Sequence, residues 1–371
     1  MRWHHRVVAA TCVLLTACAV PVTAQTTNTR YVNTASTAGG DGTTNATSGA
    51  NRAYASLSEW ETARDGDLVT ANTIEKVFCE GSAADTTAVD ILGWTTGASN
   101  YIDIVVDPSV RHNGTYQTTK YRLEVSNATA IEVEEAYVRF TGLQVFVTGA
   151  LGARSTVLID PGTATSDVRI SQSIVKLAEA DFSHNGIAAN TAATVYVLNT
   201  LVISDGVSTG SFLIQNLGLL ATMNVYSVTG ITAAGLGIRL NAATATVVAK
   251  NVLIQEGGAA NAFQVNSGTL TNTNCASSDA TADDFGGSGN RVNQTFTFVG
   301  APDYHLAAGD AGAKDFGTDT SGEAAPLNFT VDIDNVTRTG TWDIGADADV
   351  AAGGSAGCRQ LTLLGVGGTC S

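Results

Sequence analysis

One motif recurs along this chain at a nearly constant interval, and that interval restricts the fold more than any other feature. Two apolar residues flank a third, and a polar side chain follows. The copies are Val77-Phe78-Cys79-Glu80, Ile104-Val105-Val106-Asp107, Ile131-Glu132-Val133-Glu134, Val157-Leu158-Ile159-Asp160, Ile187-Ala188-Ala189-Asn190, Phe212-Leu213-Ile214-Gln215, Ile238-Arg239-Leu240-Asn241 and Phe263-Gln264-Val265-Asn266. Their second apolar positions are spaced 27, 27, 26, 30, 25, 26 and 25 residues apart. Each copy alternates as a half-buried strand does. A further β-type run follows most copies, as in Tyr137–Val147, Val168–Leu177, Thr194–Ile203, Met223–Ile231 and Thr246–Ile254.

Several short strands per interval, with no helical period between them, predict a solenoid of stacked coils. A propeller would need repeats of ~40–45 residues, and a leucine-rich repeat a stricter Leu consensus. The predicted fold is an all-β, right-handed parallel β-helix, its hand taken from the general rule for parallel crossovers. With 39 Gly, 2 Met and 14% charged residues, the composition suits strands joined by small-residue turns better than helices. The predicted organisation is a signal peptide (1–24), an N-terminal cap (25–70), the β-helix (71–300), a C-terminal closing segment (301–350) and a Gly-rich tail (351–371).

Export is expected from the N-terminus. Arg2 and Arg6 precede the apolar run Val7–Val20, which is shorter than the ~20 residues a membrane span needs. Val22-Thr23-Ala24 then offers a cleavage site between Ala24 and Gln25. Leu15-Thr16-Ala17-Cys18 offers a rival, a bacterial lipobox in which Cys18 would carry the lipid. Either route leads to a secreted or cell-surface protein with no transmembrane segment. Without residues 1–24 the balance is 17 basic against 34 acidic residues, the wrong sign for a nucleic-acid partner. Cys358 and Cys370 are close in a Gly-rich tail, and export would let them pair as a disulfide.

The flanks carry a resemblance. Tyr31-Val32-Asn33, Gly39-Gly40-Asp41-Gly42 and Tyr54-Ala55-Ser56-Leu57 look like the leading segment of bacterial and phage-associated β-helix proteins. Asp303-Tyr304-His305-Leu306, Asp332-Ile333-Asp334 and Trp342-Asp343-Ile344-Gly345-Ala346-Asp347 look like the closing segment of secreted bacterial members. Together with the repeats, the chain resembles the secreted right-handed parallel β-helix proteins of the pectate-lyase-like group over about residues 70–300. The resemblance implies architecture, and activity does not follow from it.

The polar residue after each motif is expected to form a column. Asn190, Gln215, Asn241 and Asn266 predict an amide ladder along the axis. Glu80, Asp107, Glu134 and Asp160 predict stacked carboxylates, which repel unless they splay into water, share protons or hold a cation. Calcium, which takes six to eight oxygens, is the cofactor such a column would hold. Carboxylates one coil apart also approach the ~5–5.5 Å of a retaining glycosidase, so the same four are the catalytic candidates. A lyase of the resembled group needs a calcium-holding acidic cluster and a basic residue nearby. The outward bases Arg139, Arg169, Lys176, Arg239 and Lys250 are not expected to share a column with the acids. Asp181 with His184, Asp279 with Asp283 and Asp284, and Asp332 with Asp334 read as loop or turn polar groups, although Asp332-Ile333-Asp334-Asn335 could also help bind a cation.

Three function classes remain open. The first is a glycan-binding, adhesive or structural β-helix at the cell surface. The second is a polysaccharide lyase or glycoside hydrolase using the acidic column. The third is a phage-derived tailspike, against which an export signal argues.

Overall fold

The structure is a computed structural model that describes residues 24–149, 154–179, 184–206, 208–258 and 261–348. Residues 1–23 with Cys18, and the tail with the Cys358–Cys370 pairing, lie outside the described residues. Cys79 and Cys275 are buried free thiols. Among the described residues no helix is long and apolar enough to cross a membrane.

The chain forms a parallel β-solenoid of about seven turns with three faces. The first face runs through Thr26–Asn33, Thr73–Glu80, Ile102–Val106, Tyr137–Thr141 and Asp167–Ser171. It continues in the first halves of Thr194–Ser204 and Thr222–Thr232. The second face begins at Ala84–Asp85 and passes through Arg122–Ser126, Gln144–Gly149 and Ile174–Glu179. The third runs Val89–Ile91, Ile131–Val133, Arg154–Ile159, His184–Ala189 and Phe212–Asn216. Each pair is in parallel register, so equivalent inward residues stack. Val77, Ile104, Phe140, Ile170, Val197 and Val225 form one such row, buried to within 2%.

At the corner between the first and second faces the chain turns through the left-handed region. Gly142, Gln172, Asn199, Ser227, Asn251 and Asn274 occupy it, with φ between 46° and 78°. Gly and Asn tolerate this conformation best, so four of the six positions carry a suited residue. This corner column is where side-chain amides matter most, whereas the expected ladder on the third face is only fragmentary. Asn266 donates to Asn241 Oδ1 at 3.1 Å and Asn190 to Asp160 Oδ2 at 3.1 Å. Gln215 aligns with Ala188 and Arg239, which puts it two positions out of that column.

Helix α1 (Leu57–Arg64) covers the start of the core. Ser56 Oγ accepts from Glu59 N at 3.0 Å, a cap that suits Ser before an acidic residue. Leu57 and Trp60 are fully buried in the main core, and Leu57 N donates to Asp85 Oδ2 on the second face. At the other end residues 278–294 fold over the last coil, with Ala282 fully buried and Phe285 packed against the core. Such covers satisfy open coil edges.

The closing segment does not sit on the end of the stack. It runs back along the side, over the second face and its corner. The outward row there is mainly apolar, with Ile174, Leu201, Leu253 and Ala276 buried alongside Thr229. Phe296, Leu306, Ile333, Ile344 and Ala346 cover it. Asn251 Nδ2 donates to Thr318 O at 2.7 Å, and Asn251 Oδ1 accepts from Thr318 N at 2.8 Å. Asn199 Nδ2 donates to Val331 O at 2.8 Å, and Gln172 Nε2 to Asp332 O at 2.9 Å. The corner amides thus hold the strap in place.

Candidate functional site

The four acids expected in one column occupy two faces. Asp107 follows Val106, the partner of Cys79, so Glu80 and Asp107 stack on the first face. Glu134 and Asp160 follow Val133 and Ile159, which pair on the third. The cause is residues 107–121, which leave the coil after Asp107 and return at Tyr121. That excursion lengthens one coil, and the regular spacing from 106 to 133 bridges two different faces.

The two pairs have different surroundings. Glu80 is buried, and burial followed by Asp107 pushes its carboxyl above the usual range. Asp107 Oδ1 accepts from Ser109 N and Oγ at 2.8 and 2.6 Å, closing the turn that starts the excursion. Glu134 is exposed, and beside that pair lie Asp90 and Glu132, which are partners in register. Burial raises Glu132, and the nearby Asp90 adds to the effect. Glu132 is the middle residue of its motif, and Asp90 lies in Val89–Ile91, a strand outside the eight copies, so the spacing of the motifs points to neither.

The first face carries a groove. Its outward row runs Lys76, Asp103, Arg139, Arg169 and Tyr196 in register. Arg139 and Arg169 share this column with Asp103, which is not one of the four acids singled out from the spacing. Lys76 Nζ lies 2.9 Å from Asp103 Oδ2. Arg169 Nε donates to Asp167 Oδ1 at 2.5 Å, while Arg139 reaches the same carboxylate only at 3.9 Å. Three cations thus face two carboxylates. Burial and then Arg169 lower the Arg139 pKa. Its guanidinium lies 3.4 Å from the ring centroid of Tyr101. The strap forms the opposite wall through Pro326, Phe329 and Val331, enclosing about 260 Å³.

A second cluster lies inside the strap. His305 Nδ1 is 2.5 Å from Asp303 Oδ1, and Nε2 is 3.7 Å from Asp334 Oδ2. Asp334 is the main cause holding the imidazole up at about 10, against the desolvation that would lower it. Burial raises Asp347 to about 6, and burial with Asp334 also pushes Asp332 up. Asp332 is turned to the backbone, accepting from Asp334 N, Val336 N and Ala348 N. Arg338, 5% exposed, donates to the carbonyls of Gly345, Ala346 and Asp347 and to Asn199 Oδ1. Asp332 and Asp334, expected to form a turn, do so, and Asp334 also enters this cluster. No spacing rule joins His305, Asp334 and Asp347, so only the fold reveals them.

Between strap and excursion is an open cleft of about 730 Å³, lined in part by Arg111, His112, Gln117, Lys120 and Asp334. Of the loop candidates, His184 is buried in the third face, and Asp279 ties the end cover to Ala262 N at 2.9 Å. Asp181 lies outside the described residues. No protein-family model, curated protein or solved structure matches this chain.

Proposed function

We propose that the protein is an exported or cell-surface β-helix of the pectate-lyase-like group that binds an extended glycan along its first face. The observation that carries this reading is the groove in which Arg139 and Arg169 share Asp167. Coils repeat at ~4.8 Å, so equivalent side chains recur along the groove at a spacing an extended polymer can follow. The surplus cation suits a carboxylate-bearing sugar, which an arginine can grip through two parallel hydrogen bonds. Phe329 in the opposite wall adds flat apolar surface for a sugar ring. Export is supported by the basic start and the apolar run Val7–Val20.

Affinity electrophoresis through neutral and uronate-containing polysaccharides tests this reading. Replacing Arg139 and Arg169 together by Gln should weaken retention roughly tenfold, about 1.4 kcal/mol, with thermal stability preserved. Retention equal to that of the parent on every polysaccharide that holds the parent would sink the groove as the binding site.

One observation favours a second reading, a polysaccharide lyase. Arg139, its hold on the proton weakened by burial and Arg169, stands beside Asp103 in the groove. A lyase would remove the proton next to a uronate carboxylate and expel the glycosidic oxygen, leaving a new C=C bond. Release of ultraviolet-absorbing unsaturated products from a uronate polymer would establish it, and its absence with and without calcium would leave binding alone.

A further inference from the structure

We propose that His305, Asp334 and Asp347 form a binding site for one divalent transition-metal ion of the zinc class. One ligand-type atom of each lies within 4.8 Å of the other two. They come from three separate stretches of the strap: the strand Asp303–Leu306, the turn at residues 332–336 and the stretch after Trp342.

The surroundings are built for a ligand. Asp303 takes the Nδ1 proton at 2.5 Å, which turns Nε2 towards the two carboxylates. Metal-binding imidazoles are oriented by such a second carboxylate in just this way. Nε2 of His305 and Oδ1 of Asp334 are both buried without a hydrogen-bond partner. Asp347 is 7% exposed, and its Oδ2 is fixed by Leu306 N at 2.9 Å. Asp332 takes no part, because the backbone already occupies its oxygens. Beside His305 and Asp347 is a void of about 10 Å³, also lined by Gly114, Thr229 and Tyr304. A Cβ at Gly114 would stand 2.2 Å from Nε2, so glycine keeps this space clear.

The donor set selects the ion. One imidazole nitrogen with two carboxylate oxygens suits zinc, cobalt or manganese, whereas calcium and magnesium prefer oxygen alone. Three protein ligands leave a fourth tetrahedral position for water. The ligating imidazole must be neutral, so each ion bound displaces the Nε2 proton to solvent. The ion would fasten three stretches of the strap to one another.

Titration of the chelator-treated, full-length protein with zinc, cobalt, manganese, calcium or magnesium salts tests the site. One zinc or cobalt per chain, with a raised melting temperature, is expected. His305→Gln and Asp347→Asn should each weaken binding by roughly tenfold or more. Asp303→Asn should cost about 10- to 100-fold by freeing the ring. No stoichiometric binding, or binding untouched by all three changes, would overturn the proposal. If the variants fail to fold, X-ray absorption at the metal edge of the parent protein decides. An imidazole nitrogen among the ligands supports the site, and an all-oxygen shell refutes it.

Discussion

His112 Nε2 donates to the backbone carbonyl of Gln172 across 3.0 Å, while its Nδ1 accepts from Gly114 N at 3.1 Å. The pairing fixes a neutral ring and docks the excursion onto the corner column. Burial, reinforced by Arg111, pushes the His112 pKa from 6.5 down to about 3. The folded state therefore binds fewer protons than the unfolded state between those two values. Stability conferred by the neutral ring is present above pH 6.5 and is lost progressively as pH falls towards 3. The loss from this one group between pH 7 and pH 5 should be about 2 kcal/mol. Urea titrations of the parent and of His112→Gln at both pH values check this, since the variant should lose less. Parallel losses in the two proteins would show that another group governs the acid limb.

Gly114 has φ of +83° and lies against the His305 ring. Gly114→Ala should cost about 1–3 kcal/mol from backbone strain alone, before the clash is counted. A denaturation midpoint unchanged from the parent would mean that the excursion can lift away from the strap.

Asn251 separates two causes of stability at one residue. Asn251→Gly keeps the left-handed turn at φ 54° but removes both bonds to Thr318, which should cost about 1–3 kcal/mol. Asn251→Ala loses the bonds and strains the turn, so it should fall lower by a further ~1–2 kcal/mol. Equal losses from the two variants would show that the hydrogen bonds alone matter there.

Register gives a direct test of the coils. One residue inserted between Val195 and Tyr196 would move buried side chains to the outer face, and should destabilise the protein strongly. One inserted after Gly162, a turn residue with open space around it, should be tolerated. Chemical denaturation of the two insertions should differ by several kcal/mol, and similar midpoints would contradict the strand assignment.

The acidic pair on the third face is expected to be nearly neutral in stability. Glu134→Gln with Asp160→Asn removes like-charge repulsion and should change stability by no more than about 0.5 kcal/mol. A drop of melting temperature confined to calcium-containing buffer would instead reveal a cation held there.

The solenoid was legible because every inward pair obeys the same alternation, from Val77 to Val265. The same uniformity hid which face each copy belongs to. Val106 and Val133 look like successive rungs, yet one lies on the first face and the other on the third. Two signals would have corrected this. Gly142, Asn199, Asn251 and Asn274 stand between paired β-type runs, marking the corner. Unbroken apolar runs such as Leu201-Val202-Ile203 and Val252-Leu253-Ile254 mark strands buried on both sides, which requires a cover. The His305 cluster had no such signature, because its members meet only after the strap has folded back.

A coil stack held only by neighbours behaves as a one-dimensional chain of units, free to fray from either end. The strap changes that arithmetic. It bonds to Gln172, Asn199, Asn251 and Asn274, residues belonging to coils that do not all touch one another. Peeling the last coil away must break contacts to coils deeper in the stack, so the ends share the fate of the middle. Unfolding should then be a single cooperative event, with amide exchange in the last coils nearly as slow as in the centre.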